Sequence, residues 1–517
     1  MLITHPMNTS KTFLTALAGL LGSALSLTAD VSLPHIFGDH MVLQRHQANP
    51  VWGHADPGEK ITVTINGQSH STVATPDGNW RVKLSSLPAG GPHELIIAGQ
   101  NTVTFTDVLV GEVWICSGQS NMVRPLSSAD NADVEIVTAN YPEIRLISVP
   151  NVASQAPLGD FAGKWETCSP QTVADFSAIG YLFGRRIHNA VGVPIGLIDN
   201  AWGGSAADAW VPRDVLEAEG DYRELLESWD KTTAAYPDEV HNAALEKFEA
   251  WQVAGKPGRT QRAPRDPRQS QQRPANLFNG VLHPTIGYGI RGVIWYQGEA
   301  NAKRAYQYRD LFPLMISTWR DLWGQGDFPF YWVQLADFRA ELAEPADSDW
   351  AELREAQTMT LSLPHSGQAV ITDAGEGRDI HPHDKVTVAN RLARLALGND
   401  YGFDLATESP RYTGMKTAGD TITLTFDHVS QDGLYSFDVT DPIGFAIAGA
   451  DKKFVWAEAK IIGKNQVQVS SPTVPNPVAV RYAWADNPVA NLQDRNGLPV
   501  TPFRTDDWPA VTRGVVK

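Results

Sequence analysis

Residues 112–122 read EVWICSGQSNM. A short apolar run closed by Gly118 predicts a strand covered on both faces. Ser120 then falls on the turn leaving that strand. A serine there can face a substrate, with backbone N–H groups of the next turn aimed at an oxyanion. It could equally be an ordinary helix N-cap. No glycine follows two residues later, so this is not the G-x-S-x-G elbow of the α/β-hydrolases.

Similar runs recur downstream. PIGLIDNAW (194–202), RGVIWYQGEAN (291–301), FPFYWVQLADF (328–338) and QAVITDAG (368–375) read as strands. They alternate with the helical patterns SAIGYLFGRRIHNAV (177–191), AYQYRDLFPLMISTWRDLWG (305–324) and DWAELREAQTMTLSL (349–363). Strands alternating with helices argue for a parallel sheet covered on both faces, here over residues 108–407. A polar, charged stretch at about 213–275 interrupts the pattern and is expected to be a helical insertion followed by a loop. On either side the pattern is β. Residues 30–107 carry alternating apolar positions (Ile61, Val63, Ile65) and the hairpin signals Asn66-Gly67 and Asp77-Gly78. Residues 408–517 are likewise β. The two end segments could be separate modules or could pair into one body.

The chain of 517 residues is long enough for two or three domains. Its net charge of −16 argues against a wide basic surface for nucleic acid and gives no attraction to anionic membranes. An acidic surface suits a neutral substrate better than a polyanion, although local fields can override the total. At the N-terminus, Lys11 precedes an apolar, small-residue run ending at Ala29 (FLTALAGLLGSALSLTA). That pattern predicts a signal peptide over residues 1–29 and export to the periplasm or beyond, after which no membrane contact is expected. The run is too short for a comfortable membrane span. The 2 cysteines, Cys116 and Cys168, do not make a disulfide framework. For Cys116, in the strand before Ser120, a buried free thiol is expected.

In open α/β sheets, sites form beyond the C-terminal ends of strands. Besides Gly118-Gln119-Ser120, three strand ends carry polar groups. Trp202-Gly203-Gly204 offers backbone that can approach a ligand closely, although Gly-Gly is also a common turn. Gln297 and Asn301, in WYQGEAN, could supply a side-chain amide to an oxyanion or simply hold their loop. In Asp379-Ile380-His381-Pro382-His383, a histidine beside a carboxylate is the arrangement that takes a proton from serine. Two histidines two residues apart make no convincing metal site without further ligands.

Taken in order, GQSNM, WGG, WYQGEAN and DIHP resemble the sialate O-acetylesterase family of SGNH-type hydrolases. PHIFGDHMVLQR (34–45), ANLFNGVLHPTIGYGIRG (275–292) and DIHPHDK (379–385) carry the likeness over nearly the whole mature chain. The resemblance implies a three-layer α/β/α esterase domain with accessory β-sandwich or jelly-roll modules from the N- and C-terminal segments. Ser120 would be the nucleophile and His381 the base. The oxyanion would be held by the N–H of Ser120, the N–H of Gly204 and the side chain of Gln297 or Asn301.

One position departs from the pattern. The wider superfamily often places its acid three residues before the histidine, where this chain has Arg378. Asp379 is the nearest carboxylate; Asp373, Glu376 or a dyad assisted by a backbone carbonyl are alternatives. Trp202, Trp210, Trp295 and Tyr296 are candidates for stacking on sugar rings, with core packing as the plainer reading, and Glu299 is expected to face substrate.

The expected activity is serine-dependent deacetylation of glycans by a secreted enzyme. The substrate would be sialic acid or a plant polysaccharide such as xylan or xyloglucan. No metal or organic cofactor is expected, and the only partner expected is the acetylated oligo- or polysaccharide. A carbohydrate-binding surface protein that has lost catalysis is the main alternative. A peptidase or lipase fits less well, because no hydrophobic lid or peptide groove is visible.

Overall fold

The computed structural model describes residues 30–517, so the expected signal peptide lies outside the described residues. Its organising element is one long strand, β1 (Thr102–Gly118). The first six residues of β1 alternate between exposed and half-buried, and from Val108 onward every residue is buried. Antiparallel sheets with one wet face give alternation, and parallel sheets covered on both sides give continuous burial. One strand changes from the first regime to the second along its length.

In its first half β1 pairs antiparallel with Gly90–Ala98, which pairs with Lys60–Ile65, which pairs with Gln68–Val73. In its second half it becomes the middle of a parallel sheet. The other strands there are β2 (Tyr141–Ser148), β3 (Glu166–Cys168), β4 (Ile195–Asp199), β5 (Gly292–Tyr296), β6 (Phe330–Val333) and β7 (Ser366–Ala369). Their order is β7-β6-β5-β1-β4-β2-β3, all parallel except β3 at the edge. β1 therefore runs without a break through the boundary expected between residues 107 and 108. One apolar core extends from Val31 in the N-terminal segment to Ala396.

Alternation along the strands assigns the two faces. Trp114 of β1 meets Phe183 of the helix Ala178–Val191 and stacks on Tyr331 of β6. A Cβ on Gly180 of that helix would sit 2.8 Å from Cys116 Sγ. The opposite face carries Trp295, Phe330 and Trp332, which pack on Phe312 of the helix Ala305–Trp323. The helices Lys385–Asp400 and Asp349–Met359 complete the two outer layers beside their partners. The result is the expected α/β/α arrangement. Cys116 and Cys168 are free and buried, and burial raises the Cys116 thiol pKa well above its ordinary value.

The stretch at 213–275 contains the helices Arg223–Ala234 and Asp238–Val253, then a return segment that ends beside Gly204. The C-terminal strands form two four-stranded antiparallel sheets and a two-stranded one, Leu434–Ser436 with Leu492–Asp494. One four-stranded sheet is Arg411–Ala418, Thr421–Asp427, Gln466–Ser470 and Glu458–Gly463; the other is Phe454–Trp456, Phe445–Ala448, Ala479–Tyr482 and Phe503–Arg504. Alternate residues of both sheets (Ile422, Leu424 and Val467 against Ile447, Val480 and Tyr482) share a second core. Among the described residues no strand of this module pairs with the N-terminal strands. No helix among them is long and apolar enough to cross a membrane.

Candidate active site

Gly118, at the end of β1, has φ +130°, and a Cβ there would lie 2.2 Å from the Tyr296 carbonyl oxygen. Only glycine fits both the conformation and the space, so the chain can turn sharply beneath β5. Ser120 then opens a one-turn helix, Ser120–Val123, whose N-cap is Gln119. The N-cap reading of the serine is thereby removed. Its hydroxyl is instead 2.8 Å from His381 Nε2.

His381 is delivered by the loop after β7. Within that loop the Asp379 N–H donates to the Glu376 carbonyl, closing a tight turn. The Ile380 carbonyl accepts from Asn121 Nδ2 at 2.9 Å, which ties the histidine loop to the residue after Ser120. Asn121 Nδ2 also donates to Glu299 Oε1 at 2.8 Å, and Lys385 Nζ donates to Asn121 Oδ1 at 2.8 Å. Three strand-end loops thus meet through one amide. Burial lowers Lys385 to about 8 and raises the Glu299 pKa.

The other ring nitrogen of His381 has a partner that sequence reasoning did not single out. Arg124 Nη2 lies 3.1 Å from His381 Nδ1. A guanidinium only donates, so Nδ1 is the acceptor, and the neutral ring then carries its hydrogen on Nε2, toward Ser120. Asp379 Oδ1 is 3.5 Å from Nδ1, at the limit of a hydrogen bond, and accepts instead from the His381 backbone N–H at 2.9 Å. That backbone contact holds the Asp379 carboxyl below its usual range. Burial, and then the Arg124 cation, hold His381 below its ordinary pKa. The alternative carboxylates are engaged elsewhere: Asp373 is forked by Arg391, and Glu376 accepts from His383 at 2.7 Å.

Gly203 approaches Ser120 so closely that its Cβ, if present, would be 3.4 Å from that of the serine. Gly204 has φ +73°. The backbone N–H groups of Ser120 and Gly204 donate to no acceptor among the described residues. Both are free donors at the site.

Gln297 and Asn301 correct the expectation of a side-chain donor. Gln297 is fully buried, and its Nε2 donates to the Ser205 carbonyl at 3.0 Å and to Asn301 Oδ1 at 2.7 Å. Its Oε1 accepts from Tyr308 at 2.9 Å. Asn301, also buried, accepts from the Ala207 N–H and donates to Asp208, which pairs with Arg304. Both hydrogens of the Gln297 amide are spent in bracing the loop that presents Gly204. Trp295, Tyr296 and Trp210 are corrected too, because all three are buried in the sheet–helix core and cannot stack on a sugar. Trp202, on the turn beside Ser120, is half-buried. Glu299 accepts from Asn121, and its other oxygen is buried without a partner.

Arg124 could have been suspected from spacing alone: once Ser120 opens a helix, a residue four further on returns to the same side. Lys385 lies within DIHPHDK, but its contact with Asn121 depends on how two distant loops meet. Among the described residues no cluster could hold a metal ion.

A family profile described as carbohydrate esterase, sialic acid-specific acetylesterase matches residues 277–397. The Mus musculus sialate O-acetylesterase is 30% identical over 523 residues, covering 90% of this chain and 92% of the mouse protein. The Homo sapiens sialate O-acetylesterase is 29% identical, covering 92% and 93%. The crystal structure of a carbohydrate acetylesterase from Xanthomonas citri superposes with a TM-score of 0.80 at 37% identity, covering 93% of this chain and 100% of that one.

Proposed function

This chain belongs to the sialate O-acetylesterase family and is a carbohydrate acetylesterase, and from that premise we propose that it is an exported serine enzyme working through Ser120 and His381. The observation that carries the assignment is the 2.8 Å contact between Ser120 Oγ and His381 Nε2 at the end of the central strand. In this reading His381 takes the serine proton, and the serine oxygen attacks the acetyl carbonyl. The tetrahedral oxyanion rests on the N–H groups of Ser120 and Gly204. The sugar oxygen leaves with the proton held by His381, and water then hydrolyses the acetyl-serine by the same steps.

For Nε2 to accept a proton, the ring's own hydrogen must sit on Nδ1. Arg124 therefore has to release Nδ1, whereupon Asp379, 3.5 Å away, is the nearest acceptor. Asp379 acts as an auxiliary acceptor in this scheme, and Ser120 and His381 carry the chemistry as a dyad. Export is supported by the charged and apolar pattern of residues 1–29.

The substrate is an acetyl ester on a sugar hydroxyl. The acidic net charge favours a neutral polysaccharide such as xylan or xyloglucan. O-acetylated sialic acid is a second reading, favoured by Arg124: its guanidinium contacts His381 Nδ1 but meets no carboxylate within salt-bridge reach among the described residues, so its charge is not neutralised by an ion pair. Acetate release from acetylated xylan, acetylated xyloglucan and O-acetylated sialic acid, compared at equal ester concentration, tests this. A clear preference for the polysaccharides supports the first reading and a clear preference for sialate the second. Release from none of them rejects the function.

A further inference from the structure

A groove lies at the seam between the loop that follows β6 and the C-terminal sheets. It encloses about 350 Å³ and is lined by Leu342, Ile443, Trp456, Asn487, Pro488 and Val489. Ligand sites commonly fall at junctions between domains and in the range of about 300–1,000 Å³. Leu342, Ile443, Trp456 and Val489 are each 39–51% exposed, a cluster of large apolar side chains left open to water. Contiguous apolar surface of this kind marks a site of contact. Adjoining it, and also lined by Trp456, is a smaller recess of about 140 Å³ bordered by Asp347, Lys452 and Arg481. An aromatic ring flanked by apolar walls and by donors and acceptors of both signs matches a pyranose, which has apolar C–H faces and a rim of hydroxyls.

The groove is pre-formed, and one of its lining residues abuts the turn that precedes His381. The Trp456 indole N–H donates to the Ala343 carbonyl at 2.7 Å, which fixes the ring against the loop. Asn487 Nδ2 donates to the Arg339 carbonyl at 2.8 Å and leaves no room at Gly377, where a Cβ would lie 2.5 Å away. Gly377 belongs to the tight turn that delivers His381, and the exposed Arg378 stands between them. The C-terminal module therefore touches the same turn that carries the base.

We propose that this seam groove is a subsite for the sugar residues flanking the acetylated one, so that the enzyme reads an oligosaccharide and not a lone monosaccharide ester. The inference rests on the carbohydrate esterase reading of Ser120 and names the part of its substrate that lies outside the dyad. It assigns the C-terminal module a share in substrate binding.

The test compares Trp456→Ala and Ile443→Asp with wild type on acetylated xylotetraose, an acetylated xyloglucan oligosaccharide and p-nitrophenyl acetate. KM for the oligosaccharides should rise by about tenfold or more, while kcat/KM on p-nitrophenyl acetate stays unchanged. Equal losses on both substrate types would mean that Trp456 only braces its loop, and unchanged KM would mean that no sugar visits the groove. Either result overturns the proposal. So would a concentration-dependent dimer, broken by Ile443→Asp, that covers the patch. Calorimetric titration of the same oligosaccharides into Ser120→Ala protein, with and without Trp456→Ala, reads the groove without catalysis. Weaker binding on loss of Trp456 there supports the subsite even if the assignment of Ser120 fails, and unchanged or absent binding overturns it.

Discussion

Arg124 Nη2 sits 3.1 Å from His381 Nδ1, the ring nitrogen opposite the one that meets Ser120. This contact decides which nitrogen of the neutral ring carries the hydrogen, and it places a cation beside the base.

Arg124→Gln should move the pH profile. The base must be unprotonated, so kcat/KM rises with pH through the His381 pKa. Burial and Arg124 both hold that pKa below its ordinary value. With the cation gone the acidic limb should shift upward, toward about 6.5. A limb that stays in place would show that Arg124 does not touch the ring in solution.

Asp379→Asn should cost little. An aspartate that fixes the tautomer of a catalytic histidine contributes about 10⁴ in kcat. Asp379 is 41% exposed at its side chain and lies 3.5 Å from Nδ1. Its replacement is expected to lower kcat by less than about tenfold, a small fraction of that contribution. A loss of several orders of magnitude would place Asp379 on the ring during turnover.

Gln297→Leu should act on stability before catalysis. Its amide satisfies the Ser205 carbonyl, Asn301 and Tyr308 in a buried setting. Leaving such partners unmet costs on the order of 2 kcal/mol or more. The fall in kcat should stay below the ~10²–10³ expected for losing an oxyanion donor. Thermal melts and kinetics on the same preparation separate the two effects.

Lys385→Met should change how stability depends on pH. The folded protein gives up the Lys385 proton near pH 8, against 10.5 for the ordinary side chain. Between those values the unfolded chain binds more protons, so stability contributed by this site rises with pH across that window. The variant should lack this rise when denaturation is followed from pH 8 to 10.5. An identical slope in both proteins would mean that the lysine titrates normally.

Much of this is legible in the sequence. Ser120 and His381 stand at strand ends, where an open α/β sheet must put its chemistry, and runs such as EVWICSG declare strands covered on both sides. The sequence also held the hairpins of the N-terminal segment. Less was visible wherever one residue type serves two purposes. Trp295 and Tyr296 look like sugar platforms because they adjoin polar loop residues, yet they are the last residues of a buried strand. Gln297 has the right group for an oxyanion hole, but its hydrogens go to Asn301, four residues on, and to the Ser205 carbonyl of another loop. The unbroken β1 could not be inferred from composition, because an alternating strand and a buried strand read as two elements when they are joined end to end. Lys385 is not legible, because it acts on a loop more than 250 residues distant in the chain; for Arg124 the spacing from Ser120 points to the site, but its partner His381 is as remote.

The most direct test of the central claim is the rate of p-nitrophenyl acetate hydrolysis by wild type, Ser120→Ala and His381→Ala, each checked for native folding by circular dichroism and thermal melting. The Ser120–His381 contact predicts that both variants lose several orders of magnitude in kcat, on the scale of about 10⁴–10⁶ for a disabled serine nucleophile or its base. A folded Ser120→Ala protein that keeps the wild-type rate would contradict the account.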